Sequence, residues 1–125
     1  MHENEISEKI IGCAIAVHRA LGPGLLESAY EECLAEEMRF QGINFERQKP
    51  VPLIYRSIKL EVGYRLDFLV ENKVIVELKA QDVVPPIAKS QLLSYLRLLD
   101  KRLGLLINFH VEILIKGVER VVNKL

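Results

Sequence analysis

Seven residues near the end of the chain, Leu103 to Phe109, are apolar but for one glycine and one asparagine. A strand that apolar on both faces has to be covered from both sides, which places it inside a sheet between helical layers. It follows a helical pattern from about Ile87 to Asp100, and that pattern follows the β-branched segment Val74 to Lys79. Strand, helix and buried strand in this order predict one right-handed parallel crossover within a mixed sheet. The expected fold class is therefore α/β, with a mixed central sheet flanked by helices.

The remaining pattern fills in that frame. Ile6, Ile10, Ile11, Ala14, Val17 and Leu21 recur at spacings of three and four, which predicts an amphipathic helix from Glu5 to Ala20. Gly22-Pro23-Gly24 ends it. A second helix is expected from about Leu26 to Gln41, with Tyr30, Cys33, Leu34, Met38 and Phe40 on or near its inner side, acidic Glu27, Glu31 and Glu32 early, and Gly42 after its end. Ile43 to Gln48 and Val51 to Tyr55 favour strand but carry Pro50 and Pro52 in between, which suits an edge. Lys59 to Val62 and Tyr64 to Val70 alternate, and Glu71-Asn72-Lys73 is a tight turn into Val74 to Lys79, so these last two strands form a hairpin. The tail, Glu112 to Val122, reads as a closing hairpin turning at Lys116-Gly117, with a short helix as the alternative. The order is α-α-β-β-β-β-α-β-β, and 125 residues suit one domain, 1–125.

Composition narrows the setting. A hydrophobic fraction of 50% supplies a core without a disulfide or structural metal. Cys13 and Cys33 sit in apolar helical patterns with no CxxC partner, as small buried hydrophobes of a reduced protein do. Met1 to Glu5 lacks the basic and apolar regions of a signal peptide, and no apolar run approaches the ~20 residues that span a bilayer. A cytoplasmic protein without a membrane partner is the expectation. Charged residues amount to 27% and cancel to zero net charge, so bulk electrostatics name no partner.

Local charge is more informative. On the strand Val74 to Lys79, alternation separates Val74, Val76 and Leu78 from Ile75, Glu77 and Lys79. A glutamate and a lysine thus emerge together from a strand that is otherwise core. Asp67 is a lone carboxylate in the preceding apolar strand, and pairing about the Asn72 turn sets it opposite Glu77. Directly opposed residues lie ~4.5–5.5 Å apart at Cβ. Two carboxylates at that distance repel unless a cation lies between them, and a hard divalent metal wants oxygen ligands. A cross-strand salt bridge from Lys79 to Glu77 or Asp67 accounts for the same pattern. Spacing alone leaves both readings open.

The stretches Gly63-Tyr64-Arg65-Leu66-Asp67 and Ile75-Val76-Glu77-Leu78-Lys79 together resemble the core of the PD-(D/E)XK nuclease superfamily, with Leu66 where the motif's proline stands. Gly24-Leu25-Leu26-Glu27-Ser28-Ala29-Tyr30 is similar to the signature of the GxxExxY proteins, a bacterial and archaeal branch of it. The resemblance runs from Ile10 to Val122 and implies a restriction-endonuclease-like α/β core. It implies Asp67 and Glu77 as metal ligands, Lys79 as the catalytic lysine and Glu27 as the acidic residue from the first core helix. Gln91 and Tyr95 match the Q-x-x-x-Y element that follows the core in RecB-like and exonuclease-like branches. The implied activity is phosphodiester hydrolysis by metal-activated water. The implied cofactor is Mg2+, with Mn2+ as a substitute, and the implied partner is nucleic acid, DNA before RNA. One competing reading is a non-catalytic module that keeps the fold and binds nucleic acid or a partner; a second is a subunit that pairs with a copy of itself, as a homodimer, or with a larger nuclease or helicase complex.

For single residues a plainer role stands beside each of these. Glu27 at a helix start favours the dipole. Gln91 and Tyr95, four apart on one helix face, could be a polar shoulder and a half-buried core tyrosine. His18, near the glycine-rich turn, reads first as a packing residue. Lys89, Arg97, Lys101 and Arg102, with Arg47, Lys49, Arg56, Lys59 and Arg65, are candidates for gripping phosphates or are simply solvated. With no Trp, four Tyr and four Phe, no stacking platform is visible.

Overall fold

The computed structural model describes residues 1–125. Helix α1 spans Glu3–Leu21 and helix α2 spans Glu27–Phe40. His2 caps α1: its ring accepts the Asn4 amide while Glu5 reaches back to the His2 amide. Strands β1 (Phe45–Pro50), β2 (Leu53–Tyr55), β3 (Ile58–Leu60), β4 (Arg65–Val70) and β5 (Val74–Lys79) follow. Helix α3 (Pro86–Leu99) then leads to β6 (Leu103–Asn108) and β7 (Val118–Val122). Pro86 opens α3, where a missing N–H costs nothing, and Asp100 closes it in the left-handed conformation.

Five strands make the central sheet in the order β1-β4-β5-β6-β7. The β5–β6 pair is parallel and joined through α3; every other pair is antiparallel. All six residues of β6 are buried, as its composition requires. On one face, Val74, Val76, Leu78, Leu105 and Ile107 pack with Ile6, Ile10, Leu34 and Met38 of α1 and α2. On the other, Ile75 and Leu106 pack with Leu92 and Leu96 of α3. Helix α3 comes so close that a Cβ at Gly104 would stand 2.9 Å from Leu92, which is why a glycine interrupts the apolar run. The sheet is thus covered on both faces, and α2 and α3 flank β5 from opposite sides.

Four expectations change. Phe40, expected on or near the inner side of α2, is its last residue and stands exposed beyond the core contacts of Leu34 and Met38. Five strands, one more than expected, precede α3, because the chain after β1 makes a separate ribbon, β2–β3, outside the central sheet. Residues 112–115 are not strand: Leu114–Gly117 is a 3-10 turn, and only β7 returns, along β6. A Cβ at Gly117 would fall 2.2 Å from the Asn108 carbonyl oxygen, so the close approach of this turn to β6 fixes the geometry. Leu66 also departs from strict alternation. It joins the α3 core with Leu69, while Phe68 and Val70 face α1 and α2. The break lies beside Asp67 and across from Gln48, whose left-handed φ of 51° interrupts the β1–β4 ladder.

Candidate active site

The site lies where β4 and β5 part. Their ladder runs from Val70↔Val74 to Phe68↔Val76 and stops there. The next positions in register are Asp67 and Glu77, as the spacing about Asn72 requires. In place of a backbone bond, Asp67 accepts the amide of Leu78 through Oδ2 at 2.8 Å. The carboxylate is thereby fixed on β5 with its other oxygen turned toward α2. Gln48 Nε2 lies 3.4 Å from that Oδ1 and donates more closely, at 2.9 Å, to Glu31. Glu31 is held in turn by Arg47 at 2.7 Å.

Glu77 is the most perturbed side chain of the group. Burial pushes its carboxyl up to about 9, and the neighbouring Asp67 adds to the shift while Lys79 opposes it. Its Oε1 is buried with no hydrogen-bond partner at all. A buried acceptor left unpaired is costly, so such an oxygen points to something that completes it. Lys79, two residues along, belongs to none of the chain's ion pairs. The cross-strand salt bridge that the pattern also allowed is therefore not formed.

Glu27 arrives from the opposite layer. It is the first residue of α2, exposed overall, with its carboxyl raised by partial desolvation and by Asp67 and lowered again by Lys79. What sets it there is Tyr30. Fully buried, Tyr30 stacks on Phe109 at 4.5 Å, donates its hydroxyl to the Gly22 carbonyl and accepts the Leu25 amide at 3.2 Å. Gly24 within the pinned loop has φ 98°, a conformation that disfavours any side chain. Glycine and tyrosine thus shape the loop that presents the glutamate.

From α3, Tyr95 is buried, and its hydroxyl is shifted upward by burial first and by Glu77 next. Its ring lies 6.1 Å from that of Tyr64. Gln91 stands exposed one turn earlier, with no hydrogen bond drawing it toward the carboxylates. Asn108, opposite Lys79 in the β5–β6 register, is buried; it donates to the Gln81 carbonyl at 2.9 Å and accepts the Gln81 and His110 amides. It locks the chain as it leaves β5.

Asp67, Glu77, Lys79, Glu27 and Tyr95 thus form one electrostatically connected group. No three Asp, Glu, His or Cys side chains close on a common point. The chemistry of two of them nevertheless suits a hard divalent cation: Asp67 and Glu77 are carboxylates at adjacent register positions, and one Glu77 oxygen is buried without a partner. Sequence reasoning missed Glu31, Gln48 and Asn108 as parts of this region. Asn108, the polar residue inside an apolar strand, was the one readable signal.

Other candidates go elsewhere. His18 is buried and its Nε2 lies 2.7 Å from the Val111 carbonyl oxygen, a packing tie. Arg47 is not free for phosphate: Glu31 and Glu32 hold it at 2.7 and 2.8 Å, and it lies over Phe68. Lys49 pairs with Glu46, Lys89 with Glu119 and Arg102 with Glu3. Lys101 reaches the Asn72 side chain and Arg65 the Gln48 carbonyl. Arg56, Lys59 and Arg97 stay exposed and outside any ion pair. Both cysteines are free, and no helix is long and apolar enough to cross a membrane.

The model of the family described as the PD-(D/E)XK nuclease superfamily matches residues 4–121, a span that includes all of the site residues. No curated protein and no solved structure matches the chain.

Proposed function

The chain belongs to the PD-(D/E)XK nuclease superfamily, and from that membership we propose that it is a Mg2+-dependent nuclease hydrolysing phosphodiester bonds of DNA. The observation that carries the reading is the orphaned, buried Oε1 of Glu77 beside Asp67, with an uncommitted Lys79 two residues on. The narrower reading, the GxxExxY branch, is supported by Gly24, Glu27 and Tyr30 and by the ties of Tyr30 to the loop before Glu27.

In this reading Asp67 and Glu77 would hold the cation, and Glu27 would add negative charge from α2. A bound divalent ion supplies positive charge against the scissile phosphate and a water that ionises more readily than bulk water. Asp67 is pre-positioned for its share, because the Leu78 amide fixes its orientation before any ligand arrives. Lys79 orients the attacking water and places charge beside the phosphate as negative charge builds there. Tyr95, buried on α3 and electrostatically coupled to Glu77, would flank the site from that helix. Gln91, exposed on the same helix, contacts the nucleic-acid backbone.

Cleavage of plasmid and single-stranded DNA, with Mg2+ or Mn2+, tests the proposal in the intact chain against Asp67→Ala and Lys79→Ala. Metal-dependent cutting by the intact chain alone supports it. Cutting that both variants retain would sink it, and binding without cutting by the intact chain would leave a nucleic-acid-binding module in its place.

A further inference from the structure

Strands β1 and β4 begin as one long hairpin whose outer half leaves the sheet. The Val51 amide still donates to the Tyr64 carbonyl, and beyond that bond β2 and β3 pair only with each other. Leu53 faces Leu60, Ile54 faces Lys59 and Tyr55 faces Ile58. Alternation therefore puts Leu53, Tyr55, Ile58 and Leu60 on one ribbon face with no polar residue among them. Tyr55, Ile58 and Leu60 are 64%, 53% and 42% exposed. A two-stranded ribbon is marginally stable in water, and an uncovered apolar face makes it more so.

The free edge of β3 says what meets it. The connection is two residues, Arg56 and Ser57, so the closing pair Tyr55–Ile58 turns its backbone groups inward. One residue on, those of Lys59 point outward, and extending β3 by one residue would turn those of Glu61 the same way. These two residues flank Leu60, carry opposite charges, and form no ion pair within the chain.

We propose that β3 pairs antiparallel with β3 of a second copy of this chain, about a two-fold axis at Leu60. In that register Lys59 of each copy exchanges backbone hydrogen bonds with Glu61 of the other, and their charges lie side by side. Leu60 meets its counterpart and Ile58 meets Val62, so the apolar face gains the cross-strand neighbours it lacks alone. Opposite charges placed symmetrically about one residue are what a two-fold, self-complementary interface requires. The interface is small, so the dimer is weak and reversible. The inference uses no residue of the proposed active site and stands apart from the nuclease reading.

Sedimentation of the full chain over a concentration series, without nucleic acid, tests it. The expected result is a reversible monomer–dimer equilibrium. Lys59→Glu and Glu61→Lys each set like charges opposite one another twice per dimer and should raise Kd roughly tenfold. The double variant K59E/E61K should return Kd to near the starting value. Both side chains are exposed outside the two cores, so the thermal midpoints of all three variants should match the parent. A chain monomeric up to about millimolar concentration, a dimer indifferent to the single swaps, or a double variant no tighter than the singles would each overturn the proposal.

Discussion

Asp67 uses one carboxylate oxygen to hold the Leu78 amide of the neighbouring strand at 2.8 Å, directly beside Glu77. The same side chain therefore has a structural and a chemical role, and substitution can separate them. Asp67→Asn keeps an oxygen for Leu78 and should fold within about 1 kcal/mol of the parent. Asp67→Ala leaves that amide unpaired and should lose ~1–2 kcal/mol. Both should lower metal-dependent cutting at least ~100-fold, the scale of a lost transition-state charge contact. Chemical denaturation together with a plasmid nicking assay checks this; an Asn variant that cuts like the parent refutes the ligand role.

Glu77 makes the metal-free fold pH-sensitive. In the unfolded chain its carboxyl ionises near 4.5, whereas in the fold it keeps its proton up to about 9. Between those limits the folded state holds the extra proton, so the Glu77 contribution to stability is full below about 4.5 and is lost as pH rises toward 9. Thermal midpoints with chelator present should accordingly fall across this range. Glu77→Gln, which cannot ionise, should flatten the decline and be the more stable protein at pH 8. An equal slope in both proteins would count against a buried, protonated Glu77.

Lys79 forms no ion pair, so its removal should cost little stability while abolishing chemistry. Lys79→Met is expected to leave the thermal midpoint within a few degrees of the parent, the range of surface changes, and to reduce kcat rather than DNA affinity. Melting curves and gel-shift titrations of the same preparation check both halves. A large loss of stability would mean a structural partner for the ammonium.

Tyr30→Phe removes one oxygen and leaves the Gly22 carbonyl and the Leu25 amide unpaired. A loss of ~1–3 kcal/mol is expected, and the loop that presents Glu27 should loosen. If Glu27 acts in the site, this variant should also need more Mg2+ for half-maximal cutting, and Glu27→Gln should show the same displacement without the stability loss. Metal titrations of the two variants decide the matter.

Much of this was readable from residue order. The apolar Leu103–Phe109 run placed β6, the crossover followed, and the Asn72 turn set Asp67 and Glu77 in register, because period and turn chemistry are local. The fate of Arg47 was not readable: its carboxylate partners lie on α2, and only the sheet's packing brings them together. The ribbon was missed for a related reason. Leu53 to Tyr55 and Ile58 to Leu60 have strand composition wherever they pair, and composition does not name the partner strand. At the tail, the proximity of Gly117 to Asn108 forced a 3-10 turn where alternation favoured strand.

The stack of Tyr30 on Phe109 couples the first quarter of the polypeptide to its last fifth. The loop before Glu27 thus lacks its full anchor until Phe109, just beyond β6, is in place. An unfinished product would carry both strand carboxylates and the lysine, yet could not hold Glu27 in place. A chain cut short after Asn108 should accordingly leave the loop before Glu27 without its stacked support, whatever the two strands retain.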